Sequence, residues 1–151
     1  MSWYELLLTL HILGAALWFG SGIAITVMGY RALASDPPTF GPVALHAGWW
    51  AGRAHPAAAV VILIAGILMV IDADLSFGEA WISIAIAGWI ILMALGGAAV
   101  GPASAKLSEG IQQRGGYSDE LRPLASRVLL FSRIETAILV LVIADMVAKP
   151  G

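Results

Sequence analysis

Long apolar stretches separated by short polar ones dominate this chain. Leu6 to Tyr30 is 25 residues without a charge, and Ala80 to Ala105 is 26 more. Each exceeds the roughly 20 residues an α-helix needs to cross about 30 Å of hydrocarbon. Ala54 to Ile71 is also apolar and ends at Asp72-Ala73-Asp74. Val128 to Ala148 is apolar apart from Arg133, Glu135 and Asp145. These runs are too long, and alternate too little, to be membrane strands of about 9–11 residues. The pattern predicts an all-α integral membrane four-helix bundle in one domain. Its spans lie at about 6–30, 54–72 (with the helix possible from 41), 80–102 and 128–148.

Local signals refine the ends. Asp36-Pro37-Pro38 is expected to break the first helix, and Pro42 suits the first turn of the second. Pro56 is expected to kink that second helix by leaving a carbonyl unpaired. A short polar helix is predicted over 103–113, closed by Gly115-Gly116. Ser118 is expected to cap the last helix, with Asp119 and Glu120 in its first turn. Ala32-Leu33-Ala34 resembles a small-residue cleavage site, but the apolar run before it is too long for a signal peptide. Its leading flank also has Glu5 and no basic residue.

Composition agrees with this picture. The chain has 151 residues, of which 60% are hydrophobic and 12% charged, against about 25% charged in soluble domains. A net charge of −2 and the lack of a basic cluster argue against nucleic acid as a partner. With no cysteine there are no disulfides or thiolate metal sites. Seven of the eight Lys and Arg residues fall in or beside the first and third loops: Arg31, Arg53, Lys106, Arg114, Arg122, Arg127 and Arg133. Basic loops stay in the cytoplasm, so both termini are expected on the extracytoplasmic side. The expected setting is a bacterial cytoplasmic (inner) membrane.

Polar groups at membrane depth are the default functional candidates. His11 sits on a stripe of small residues through Gly14, Ala15, Ser21, Gly22 and Gly29, with Trp18 among them. It reads either as an axial ligand to haem b or a metal, or as a histidine bonded across the bundle. Asp145 lies at a similar depth and is a candidate to orient its imidazole. His46, Trp49, Trp50 and Arg53 read as an interfacial aromatic belt with a snorkelling arginine. The depth of His55 argues against one haem shared with His11 and favours a five-coordinate haem on His11. Arg133 and Glu135 lie in the inner half of the last helix. An unpaired carboxylate at the depth of Glu135 is costly, so a structural ion pair among Arg53, Arg133 and Glu135 is expected. The alternative is a carboxylate that handles protons or binds a ligand.

The segments Leu7 to Gly14, Trp18 to Gly22, Gly52-Arg53 with Pro56, and Ser76-Phe77-Gly78 with Trp81 carry a resemblance. So do Gly101-Pro102, Arg133-Ile134-Glu135 and Lys149-Pro150. Together they resemble a bacterial family of predicted integral membrane proteins, domain-of-unknown-function family 2269. The resemblance covers nearly the whole chain and implies a four-span fold without an activity. It also implies counterparts for His11, Arg133 and Glu135, and other residue types where His55 stands. Helix one alone is similar to the copper-resistance-D-type and protoporphyrinogen-oxidase-type membrane families, the latter associated with haem. Three expectations follow. The first is a non-enzymatic accessory or structural subunit of a larger membrane complex, made with other membrane subunits or by self-association. The second is a small b-type haem or metal redox protein using His11. The third is a proton-linked carrier using Glu135.

Overall fold

The computed structural model describes residues 1–35 and 37–149. The first helix, α1, runs over Trp3–Ser35, and α2 over Pro37–Asp72. A short turn leads to α3 at Ala80–Leu95. This passes without a break through a π-helical segment at Gly96–Val100 into α4 at Gly101–Arg114. One 3₁₀ turn at Asp119–Leu121 then starts α5, Arg122–Ala148. The result is four antiparallel helical rods, with no strand among the described residues.

Among the described residues, three segments are long and apolar enough to cross a membrane: Trp3–Ala34, Thr39–Asp72 and Ala80–Arg114. At 27 residues, α5 spans about 40 Å, but Arg133, Glu135 and Asp145 interrupt its apolar character. Its surface nevertheless matches that of the other rods. Leu13, Ile64, Ile91 and Leu141, one from each rod, are all more than half exposed. Outward-facing side chains of this kind suit a lipid solvent and would form an aggregation surface in water.

Small residues set how closely the rods approach. A Cβ at Gly14 of α1 would lie 2.9 Å from Ile62 of α2, and one at Gly29 would lie 2.6 Å from Leu129 of α5. The small-residue stripe of α1 therefore divides its contacts between two neighbours. Thus α1 packs on α2 and α5, α5 packs on α1 and α3, and α2 meets α4 at the far end.

The helices are longer than the sequence pattern implies. At 36 residues, α2 is about 54 Å long, well beyond the hydrocarbon thickness. It begins at Pro37 rather than near Gly41. Prolines in a first turn lose no intrahelical bond, so this pair starts a helix as readily as it ends one. Asp36, part of the same expected break, lies outside the described residues, as do Pro150 and Gly151.

The polar segment over 103–113 is not a separate helix but the continuation of α3. Its buried face joins the projecting ends of the other rods in a cap built on Ala32, Phe40, Leu107, Ile111, Leu121 and Leu129. Phe40 meets Tyr117 edge-on at 4.8 Å. Gly115, at φ +70°, closes α4, with Gly115 N–H donating to Gln112 O and Gly116 N–H to Ile111 O. That pairing is a Schellman motif, and its left-handed position favours glycine. Ser118 precedes the 3₁₀ turn in extended geometry but makes no capping bond, and its buried hydroxyl has no partner among the described residues.

Candidate functional site

Trp18 lines two cavities of different character. The larger, about 520 Å³, opens between the α1–α2 and α3–α5 pairs in the half that holds the chain termini. Its walls are almost wholly apolar. Phe19, Phe77, Trp81 and Trp89 supply broad faces, while Ala15 and Gly66 keep the walls shallow. Trp89 ties the two pairs together through an Nε1–H···O=C bond of 3.1 Å to Ala59. At the rim, Trp81 donates to Glu79 Oε2 at 2.7 Å and lies under the Lys149 ammonium, 5.2 Å from its ring centre.

His11 lies in this wall. Its Nδ1 lies 2.9 Å from the carbonyl oxygen of Ile62 on α2. A carbonyl only accepts, so Nδ1 must carry the proton, and the neutral ring keeps Nε2 bare. Gly66 makes room for the ring, since a Cβ there would meet His11 Cε1 at 3.3 Å. The interhelical bond expected of a packing histidine is therefore present. The same bond also fixes the tautomer that ligand histidines use.

Asp145 does not fill the orienting role expected for it. The Ile62 carbonyl does so instead, and Asp145 is absent from the cleft wall. Its Oδ2 is buried without a partner among the described residues.

The ion pair expected among Arg53, Arg133 and Glu135 is also not formed. Arg114–Glu120, at 3.1 Å, is the one ion pair among the described residues. Two features account for this. The main neighbours of α5 are α3 and α1, and α2 packs on it less closely. Each arginine also has an aromatic seat: Arg53 lies 4.8 Å over Trp49, and Arg133 lies 5.8 Å over Tyr30. Glu135 instead faces the π segment, with Oε1 3.2 Å from where a Cβ on Gly96 would be.

His55 lies in a different layer from His11. It contacts Ser21 of α1 at 2.9 Å, ten residues beyond His11, or about 15 Å along the helix. One haem cannot span that gap using both rings, in agreement with the depth argument from sequence. His46 and Trp49 are exposed beside a surface groove against Ser108 and Gln112.

Among the described residues no group of three or more His, Cys, Asp or Glu side chains is placed to hold a metal ion. The molecule is therefore a polytopic helical membrane protein with a large apolar cleft and a small cavity whose lining includes four polar side chains. The chain belongs to the family described as predicted integral membrane protein (DUF2269), which it matches over residues 5–150. No curated protein and no solved structure matches it.

Proposed function

We propose that the chain is a haem-bearing membrane subunit in which His11 Nε2 ligates a single haem b within the apolar cleft. One observation carries this reading: the Ile62 bond leaves His11 with a bare Nε2 in the wall of a cleft of about 520 Å³. Imidazole is a common axial ligand to haem iron. Aromatic and small side chains on facing helix pairs suit a flat macrocycle. Lys149 at the rim is the cation available to a propionate.

In this reading the accessory role inferred from composition becomes specific. The chain holds a redox group for a larger membrane assembly and places it in the extracytoplasmic half of the bilayer. A lipid acyl chain is the competing occupant; it satisfies the apolar walls equally well but has no use for an imidazole. The absorption spectrum of detergent-purified protein titrated with haemin separates the two. A Soret band that saturates at one haem per chain supports the haem reading. The absence of a band at saturating haemin leaves the cleft to lipid.

A further inference from the structure

The second cavity lies on the α4 side of Trp18, deep in the bundle. It measures about 40 Å³, and its polar lining comes from His55, Ser132, Glu135 and Thr136. Trp18, Phe19 and Leu139 line both this cavity and the larger cleft, and so form the partition between them. A volume of this size holds at least one water molecule, which needs two to four polar partners to stay. The four polar side chains meet that need.

The bonding around His55 admits a tautomer with a free acceptor nitrogen. Ser21 Oγ lies within hydrogen-bond distance of the Leu17 and Trp18 carbonyls, either of which can take its one hydrogen. With the hydrogen so placed, Ser21 accepts from His55 Nε2–H across the 2.9 Å contact, which leaves Nδ1 as the ring nitrogen without a proton. On α5, Thr136 donates to the Ser132 carbonyl at 2.8 Å, which leaves its own oxygen as an acceptor. Glu135 makes no hydrogen bond or ion pair among the described residues. Glycine at position 96, at the start of the π segment, leaves its carboxylate room, since a Cβ there would lie 3.2 Å from Oε1. Such π segments inside α-helices occur frequently at functional sites.

Among the described residues, no other titratable group lines this cavity. The lining from α1 is Trp18, Phe19, Gly22 and Ile25, and that from the π segment is Val100. Arg53 on α2 and Arg133 on α5 are turned onto Trp49 and Tyr30.

We propose that this cavity is a proton-binding site in which Glu135 and His55 share one proton through trapped water. The step balances without a co-reactant. The carboxylic O–H of Glu135 gives its proton to the water, and the water gives one of its own to His55 Nδ1. A neutral pair thereby becomes a carboxylate–imidazolium pair. Both forms leave the cavity without net charge, which is the condition for stability in a medium of low dielectric constant. The site is independent of what occupies the larger cleft.

The test is the pH titration of the histidine ring nitrogens by ¹⁵N NMR in the full-length protein. The chain has three histidines, His11, His46 and His55, so single substitutions assign the signals. Groups that share a proton titrate in steps that belong to the pair. Glu135→Gln is therefore expected to move the His55 midpoint by about one unit or more, leaving those of His11 and His46 in place. Arg53→Lys is expected to move none. The His11 signal also reports whether the Glu135→Gln protein is folded. Thr136→Val, which keeps both titrating groups, is expected to alter the His55 signal by removing an acceptor for the water. If the His55 titration is the same in wild type and Glu135→Gln, the two groups do not share a proton and the proposal fails.

Discussion

Replacing Gly29 with alanine tests the seat of α5, the rod whose composition suits a membrane least. The new Cβ would lie 2.6 Å from Leu129 Cδ2, well inside any normal contact. Leu129 is only 4% exposed and packs within the cap cluster, so it cannot swing into free space. Overpacking of this kind costs about 1–3 kcal/mol, while an Ala in place of Gly in a helix gains about 1 kcal/mol. The net effect for Gly29→Ala is a loss of up to about 2 kcal/mol. Gly20 lies on the same helix with nothing within 4 Å of the built Cβ, so Gly20→Ala should gain up to about 1 kcal/mol. The assay is denaturant unfolding in mixed micelles, followed by the fluorescence of the six tryptophans. In a Leu129→Ala background the clash disappears, and Gly29→Ala should become neutral or stabilising there. If Gly29→Ala and Gly20→Ala shift the transition equally, α5 does not pack on α1 as described.

Other consequences of the fold can be checked separately. Trp89→Phe removes the cross-helix bond to Ala59 and should cost about 0.6 kcal/mol, the average for such bonds in membranes; no loss in the same unfolding assay would show the bond to be absent. The Tyr117 hydroxyl is buried without a partner among the described residues, so Tyr117→Phe should be neutral or stabilising by about 1 kcal/mol, and a clear destabilisation would contradict that burial. Burial, aided by Asp119 and opposed by Arg122, raises the Tyr117 phenol above its usual value of 10.0. A raised value in the folded state means that the neutral phenol's stability contribution is present below about pH 10 and lost as the pH rises above it. Wild type should therefore weaken there relative to Tyr117→Phe, as seen in the difference between their unfolding curves. The cysteine-free chain also suits topology mapping by impermeant thiol reagents. Ala73→Cys should label from outside intact cells and Gln113→Cys only after permeabilisation, and the reverse pattern would invert the orientation inferred from the basic loops.

The helices were legible because each apolar run is long and uniform, and the Gly115-Gly116 terminus was legible because its turn needs a left-handed residue. Helix neighbours were not. Depth alone suggested Arg53 as the partner of Glu135 and Asp145 as the partner of His11. Depth does not say which rods touch, nor which way a side chain leaves its helix. α5 lies against α1 and α3, and Arg53 folds back on Trp49, so both expected pairings fail. His11 lines the cleft, but its partner is a backbone carbonyl, which carries no side-chain signal.

The cavity shared by His55 and Glu135 was missed because the two residues belong to elements read separately, His55 being weighed only against His11 and Glu135 being placed in an ion pair. Gly96-Gly97 gave the only hint of the π segment, and on a membrane helix such residues read first as a packing stripe. The extended cap was missed for a related reason. Hydropathy marks where lipid ends, whereas the helices continue beyond it on the polar-backed faces of α2 and α4.

The central claim is that His11 Nε2 is an iron ligand, and chemical rescue tests it most directly. His11→Gly removes the imidazole and leaves space at the cleft wall for a free imidazole to enter. The Soret spectrum of haemin-loaded His11→Gly should differ from that of wild type and return to it when imidazole is added, while His55→Gly should resemble wild type throughout. A His11→Gly spectrum identical to wild type before any imidazole is added would contradict the account.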